Sequence, residues 1–347
     1  MKGRRIVLDH YQGREAAALL VDGRLDDLLI DSDQVRTGAI FRAICDRPLK
    51  GQGGMMLRIP GGTAFLRQGK GLHPGQAMLV QVTGIAEDGK AVPVTDRVLF
   101  KSRFAIITPG APGRNISRQI DDEEERDRLA AIAHEAMEGA DEGTFGLIIR
   151  SSAAGADEDD IYDDIREMLD LAVAVMADAE GTEPEALTEG DGPHDLAWRE
   201  WSAPDIETIP GGFAREGVDQ MIEDLAETRV EIGEGTMYVE TTRALVAIDV
   251  NTGGDTSPAA ALKANLAAAR ALPRALRMRG LGGQIAVDFA PMSKAHRKQV
   301  EQSLRASFKL DPIETSLVGW TTMGLFELQR KRERLPLAQL LEGANGQ

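Results

Sequence analysis

Two short apolar runs, each closing on an aspartate, flank one long stretch of helical character, and this arrangement leaves the chain few folds to choose from. The runs are Ala244-Leu-Val-Ala-Ile-Asp249-Val-Asn251 and Gly283-Gln-Ile-Ala-Val-Asp288-Phe289. Their length and β-branched content are those of buried strands. Between them Ser257-Pro258 reads as an N-cap with proline at the first helical position, and Gly280 stands where a C′ residue belongs. Strand, long helix and strand make a βαβ unit, whose strands run parallel and, when adjacent, lie about 4.8 Å apart. Both carboxylates then emerge at the C-terminal edge, where open α/β sheets place ligands. Two carboxylates at that spacing, with no cation between them, point to a shared hard metal such as Mg²⁺. Taken alone, Asp249-Val-Asn251-Thr-Gly-Gly254 fits equally an Asx turn closing a strand.

The distribution of charge says more than its sum. The net charge of −16 argues against nucleic acid as a partner. Yet residues 261–310 hold ten Lys/Arg against two acids, Asp288 and Glu301. Lys101, Arg103, Arg114 and Arg118 occupy 101–118 with no acid among them, while acids gather at 121–142 and 157–170. An acidic chain that concentrates its cations around its one candidate metal site is consistent with a polyanionic substrate there. A solvated basic helix face is the alternative.

With 347 residues the chain can bury a sizeable core divided among two or three units. The longest apolar run near its middle, Leu171-Ala-Val-Ala-Val-Met-Ala177, is far shorter than the roughly 20 residues of a membrane span. Met1-Lys-Gly-Arg-Arg5 has charge but no apolar segment behind it, so a secretory leader is not expected and a cytoplasmic location is. A single cysteine, Cys45, excludes a disulfide framework and a cysteine-built zinc site within one chain.

Residues 38–98 read as five short strands, Gly38–Ile44, Met55–Ile59, Thr63–Leu66, Gln76–Val82 and Ala91–Val94, separated by breaks such as Pro60-Gly-Gly62 and His73-Pro-Gly75. This pattern suits an OB-type barrel, a fold often used for single-stranded nucleic acid. Residues 99–150 mix strands with an acidic helix at about 121–138, and 157–178 read as a second acidic helix. Gly, Pro, Asp and Glu dominate 179–212, a loop-rich connection. A helix at about 213–229 leads to a hairpin, the βαβ unit and a last helix-strand-helix ending in Gln329-Arg-Lys-Arg-Glu-Arg334.

Ala247-Ile-Asp-Val-Asn251, Asn265-Leu266, Leu281-Gly-Gly283, Val287-Asp-Phe289 and Gly324-Leu-Phe-Glu-Leu-Gln-Arg330 resemble, in order and spacing, the catalytic region of the ribonuclease E/G family. Leu72-His-Pro-Gly-Gln76 with Val80-Gln-Val82 is similar to that family's S1 domain. Asn115-Ile-Ser-Arg-Gln-Ile120 and Gly146-Leu-Ile-Ile-Arg-Ser151 look like pieces of its 5′-end-sensing domain. The resemblance implies an α/β protein of several subdomains. Residues 1–37 would be N-terminal strands of a reduced RNase H-like subdomain and 38–98 an S1 (OB-type) barrel inserted near the N-terminus. Residues 99–178 would form a 5′-sensor-like α/β subdomain, 179–225 an RNase H-like remnant and connection, and 226–347 a DNase I-like α/β catalytic subdomain.

By the same resemblance Asp249 and Asp288 bind one Mg²⁺, with Mn²⁺ as a substitute, and Asn251 orients the carboxylates. Phe65 and Lys90 match an aromatic and a basic residue of the S1 surface that holds RNA, and Arg150-Ser151 match a 5′-monophosphate pocket. The family's Cys-Pro-x-Cys zinc link has no counterpart, so neither zinc nor a zinc-linked dimer is expected, which leaves other self-association open. Pro291 and Ala267 stand where family members carry acids. The function implied is Mg²⁺-dependent endonucleolytic cleavage of single-stranded RNA to 5′-phosphate and 3′-hydroxyl ends, in RNA processing or decay. The alternative is an S1-domain RNA-binding protein without turnover. A dinucleotide-binding reading rests only on Gly280-Leu-Gly-Gly283, which precedes a strand where that fingerprint should follow one.

Overall fold

Two tight turns start the structure. Gln12-Gly13 and Asp22-Gly23 all have positive φ (51°, 78°, 51° and 75°), the signature of two-residue type I′ hairpins. They join β1 (Arg4–Tyr11), β2 (Arg14–Val21) and β3 (Arg24–Ile30) into an antiparallel meander. The structure is a computed structural model describing residues 3–49, 51, 53–86, 89–140, 143–203, 205–233 and 235–342. The outermost residues of the first and last expected subdomains, Pro204 and Glu234 in the later ones, and Asp141 and Glu142 of the acidic segment lie outside the described residues. Residues 33–202 form one compact unit, and 1–32 with 203–347 form another.

In the first of these units, β4 (Ile40–Leu49), β5 (Gly54–Ile59), β6 (Gly62–Leu66), β7 (Ala77–Val82) and β8 (Val92–Thr95) close into a five-stranded barrel, compatible with an S1/OB-type domain. Pairing of β4 with both β5 and β7 closes it, and a register shift at Cys45/Arg47 lets the long β4 bend. Inward residues such as Phe41, Leu57, Ala64, Leu66 and Val80 fill its centre.

The chain continues through β9 (Phe100–Lys101), β10 (Ala105–Pro109), β11 (Gly113–Ile116), α1 (Glu123–Ala136), β12 (Phe145–Ile149) and α2 (Glu158–Ala177). Both helices pack on one sheet of order β11-β12-β10-β9. The acid-rich segments have a local cause. Asp122 and Asp157 are the N-caps, and Glu123–Glu125 and Glu158–Asp160 fill first turns, where carboxylates meet unpaired N–H groups and the positive end of the helix dipole. The stretch expected to be loop holds β13 (Glu185–Thr188), which adds to β4, and α3 (Pro193–Glu200). Proline at the first helical position started α3 despite the surrounding loop-forming composition.

In the second unit β14 (Asp205–Glu207) lies parallel to β1. The single helix expected at 213–229 is two, α4 (Gly212–Glu216) and α5 (Val218–Asp224), because Gly217 turns left-handed (φ 71°) between them. Then follow β15 (Arg229–Glu231), β16 (Thr236–Thr241), β17 (Val246–Asn251), α6 (Pro258–Met278), β18 (Gly283–Asp288), α7 (Lys294–Lys309), β19 (Thr315–Trp320), β20 (Phe326–Arg330) and α8 (Leu337–Glu342). Gln329-Arg330 thus end a strand, and the last helix begins only after Pro336, which the basic run before it concealed.

The six strands β15–β20 order as β15-β16-β17-β18-β20-β19, and β17 and β18 pair in parallel. Ser257 caps α6 through a 3.2 Å bond from the Ala260 N–H. Its other end is a Schellman motif: Gly280 N–H reaches the Arg277 carbonyl (3.1 Å) and Leu281 N–H the Leu276 carbonyl (2.9 Å). Gly280 has φ 63°, and a Cβ there would lie 2.0 Å from the Leu335 carbonyl oxygen. Among the described residues no helix is long and apolar enough to cross a membrane.

Candidate active site

Strict alternation places the site. In β17 the side chains of Val246, Ile248 and Val250 are buried with those of α6 and α7, while Asp249 and Asn251 are exposed on the opposite face. β18 repeats this: Ile285 and Val287 go in, and Gln284 and Asp288 come out. The parallel register sets Asp249 directly beside Asp288, so both carboxylates leave the same face of adjacent strands, towards their C-terminal ends. Asn251 Nδ2 donates to Asp249 Oδ2 at 2.7 Å, which orients that carboxylate. The Asx turn lies farther on: Asp255 accepts the Ser257 N–H at 2.8 Å, and this bond holds the Asp255 carboxyl below its ordinary pKa.

The same sheet face carries residues that sequence reasoning passed over. Tyr238 lies across from Asp249 and Thr236 across from Asn251, and one row back Glu240 and Glu327 flank Ala247 and Ala286. Period-two alternation was the signal for them, but only the register says which strands are neighbours. Among the described residues no group of three or more His, Cys, Asp or Glu could hold a metal, so any ion here rests on the aspartate pair. The donors are hard oxygens without thiol or imidazole. They suit Mg²⁺, which takes one or two carboxylates and keeps the remaining positions for water and phosphate.

Behind the pair, Asn265 of α6 is fully buried. Its Nδ2 donates to the Ala290 carbonyl at 2.9 Å and its Oδ1 accepts the Ala290 N–H at 3.0 Å, pinning the chain just beyond Asp288. The Asn265-Leu266 motif and an asparagine amid the alanines of an apolar helix face marked the position in the sequence, and the structure supplies its partner. Trp320 packs against Phe289 (centroids 5.9 Å apart) and Phe326 (5.1 Å) and donates to Glu301 at 2.6 Å. Arg297 stacks on its ring, 4.4 Å from the centroid.

The basic stretch divides into two populations. Arg277 and Arg279 are buried and Arg274 half-buried, and Arg274 donates to the Leu25 carbonyl at 2.8 Å. Arg277 binds Asp311, whose carboxylate also accepts Arg330 Nη2 at 2.8 Å; the Asp311 and Arg330 side chains are wholly buried. Asp27 joins this network through Arg277 and Arg334. Burial alone would push the Asp27 carboxyl up, but the two guanidiniums hold it below its ordinary pKa. Lys263, Arg270, Lys294, Lys298, Arg305 and Lys309 are exposed. In Gly324–Arg330 the alternating Phe326, Leu328 and Arg330 point inward, so that motif is largely structural.

In the other unit Phe65 is half-buried on the outer side of β6, between inward Ala64 and Leu66, with Met56 and Pro93 as cross-strand neighbours. Lys90 is exposed just before β8. Arg150 is half-buried, donates to the Ser102 carbonyl at 2.5 Å and the Arg199 carbonyl at 3.4 Å, and pairs with Glu200 at 2.5 Å. Burial pushes the Glu200 carboxyl up, yet Arg150 and Arg199 hold it below the ordinary range. Ser151 is exposed and opens a single 3₁₀ turn.

Fold and site together describe a mixed α/β protein that joins a five-stranded barrel to a sheet bearing an exposed aspartate pair. The model of the ribonuclease E/G family matches residues 100–211 and 206–333. Ribonuclease G of Salmonella typhimurium (strain SL1344) is 27% identical, over 78% of this chain and 62% of that protein. Ribonuclease E of Nostoc sp. (strain PCC 7120 / SAG 25.82 / UTEX 2576) is 28% identical, over 76% and 44% respectively. Ribonuclease E of Synechocystis sp. (strain ATCC 27184 / PCC 6803 / Kazusa) is 25% identical, over 94% and 56%. The chain belongs to the ribonuclease E/G family. It spans between 44% and 62% of the length of these three relatives.

Proposed function

We propose that this protein is a metal-dependent endoribonuclease of RNA processing or decay, cutting single-stranded RNA at the Asp249–Asp288 pair. The observation that carries the reading is the register of β17 and β18, which juxtaposes two exposed carboxylates, one of them oriented by Asn251. These two aspartates would hold Mg²⁺, or Mn²⁺ in its place. When bound, the ion supplies Lewis-acid stabilisation of charge on the scissile phosphate and activation of the attacking water. Asn251 keeps Asp249 in one rotamer, and the Asn265–Ala290 pair keeps the Asp288 end of β18 in place. Attack by water leaves a 5′-phosphate and a 3′-hydroxyl. The exposed Lys263, Lys294 and Lys298, near the starts of α6 and α7 at the strand edge that bears the aspartates, hold flanking phosphates with little sequence information, so binding weakens with salt. In this reading the barrel is the S1 domain, with Phe65 and Lys90 on its RNA surface, the β9–β12 sheet with α1 and α2 is the 5′-sensor-like part, and β15–β20 are DNase I-like.

Cleavage of a 5′-labelled, A/U-rich oligonucleotide with Mg²⁺ and with chelator tests the proposal. Asp249→Asn and Asp288→Asn each abolish cleavage and leave RNA binding largely intact, because each removes one negative charge and keeps the side chain's shape. Retention of most activity by either variant sinks the assignment of the ligands. Binding without any turnover in the unmutated protein favours the S1-domain RNA-binding alternative.

A further inference from the structure

The short helix α3 carries a tryptophan in the open. Trp198 is 53% exposed, whereas Trp201 is buried at 7%. A helix of this length is marginal by itself. Here arginines fasten its last turn, where carbonyls lack intrahelical partners: Arg103 donates to the Trp198 carbonyl, and Arg150 to that of Arg199. Those contacts explain where the helix sits. They do not explain an indole left half in water, which costs apolar burial that Trp201 obtains.

The guanidinium carbon of Arg103 lies 4.3 Å from the centroid of the Trp198 ring. A cation at that distance over an indole is an attractive cation–π arrangement and holds the ring in one orientation. One turn back along the helix stand His194 and Asp195, both polar, so the helix face that bears the indole is not the apolar face a protein partner buries. A pre-oriented aromatic backed by arginine is instead the platform on which unpaired bases stack, with the cation close enough to favour the adjoining phosphate.

We propose that Trp198, backed by Arg103, is a stacking site for one unpaired base of single-stranded RNA. This rests on the ribonuclease reading for the identity of the polymer, but not on the aspartate pair. Stacking uses a π-face that every base has, so the site is indifferent to sequence.

The test is a titration of the whole protein, in chelator so that the strand stays intact, with a short single-stranded oligo(A). Tryptophan fluorescence and the anisotropy of a labelled strand are read in parallel. The unmutated protein shows quenching that tracks binding. Trp198→Phe keeps most of the affinity and loses most of the quenching, and Trp198→Ala binds about tenfold more weakly. Circular dichroism shows whether Trp198→Ala still folds, and the phenylalanine variant serves if it does not. Binding with unchanged quenching in Trp198→Phe overturns the site, as does unchanged affinity in a folded Trp198→Ala. Either result in a protein that still cleaves leaves the ribonuclease reading standing. Quenching at Trp198 in a protein that never cleaves does the reverse.

Discussion

Asn265 and Ala290 hold each other by two hydrogen bonds, 2.9 and 3.0 Å long, across the interface between α6 and the segment that follows Asp288. Ala290 is itself buried, so no water replaces a lost partner easily. Asn265→Ala leaves the Ala290 N–H and carbonyl unpaired in a dry site. The expected cost is about 1–3 kcal/mol, read from urea unfolding. Cleavage falls more than RNA affinity, because Asp288 loses its support and the basic surface does not. A variant within about 0.5 kcal/mol of the parent contradicts this role.

Phe65 stands on the outside of the barrel, while its neighbours Ala64 and Leu66 belong to the core. Stacking is worth roughly 1–3 kcal/mol per base, so Phe65→Ala weakens single-stranded RNA binding by about tenfold or more. The melting temperature changes little. A lowered melting temperature with unchanged affinity per folded molecule assigns Phe65 to packing instead.

Asp311 is the shared acceptor of two buried arginines, Arg277 and Arg330. Asp311→Ala takes from the buried Arg330 the carboxylate it binds and leaves Arg277 to Asp26 and Asp27. Breaking a buried pair in this way costs about 3–5 kcal/mol, a large share of the roughly 5–15 kcal/mol of a typical domain. Chemical denaturation measures it, and a loss below about 1 kcal/mol shows that water already reaches the network.

Arg150 is paired with Glu200, so a 5′-terminal phosphate has to displace a carboxylate to reach it. If Arg150 and Ser151 serve as a 5′-phosphate pocket, the expected outcome is that RNA with a 5′-monophosphate is cut only about tenfold faster than its 5′-hydroxyl counterpart, or about 1.4 kcal/mol. Arg150→Ala removes the difference and Glu200→Gln enlarges it. Equal rates on both RNAs in the unmutated protein refute coupling. The pairing also has a pH signature. The folded pKa of Glu200 is depressed, so its contribution to stability is present above the ordinary carboxylate value and is lost as pH falls through the folded one. The melting-temperature gap between parent and Glu200→Gln closes over that acid range.

Some of this was written locally in the chain. A β-branched run, a Ser-Pro start and a Gly stop made strands and helix around Asp249 and Asp288, because caps and periodicity act within a few residues. Gly and Pro breaks outlined the barrel strands for the same reason. The single left-handed Gly217 was enough to split a helix that periodicity alone joined. Other features depended on groups far apart in sequence. Arg277, Arg279 and Arg330 look like any other cation in a basic stretch, and only packing against Asp311, Asp27 and the Glu227 carbonyl took them out of the surface population. Asn265 needed Ala290, and Arg150 needed Glu200, 50 residues away. Composition counts charges, but burial decides which of them face a substrate, and burial belongs to the tertiary structure, since a guanidinium leaves water only where the fold brings an acceptor to it.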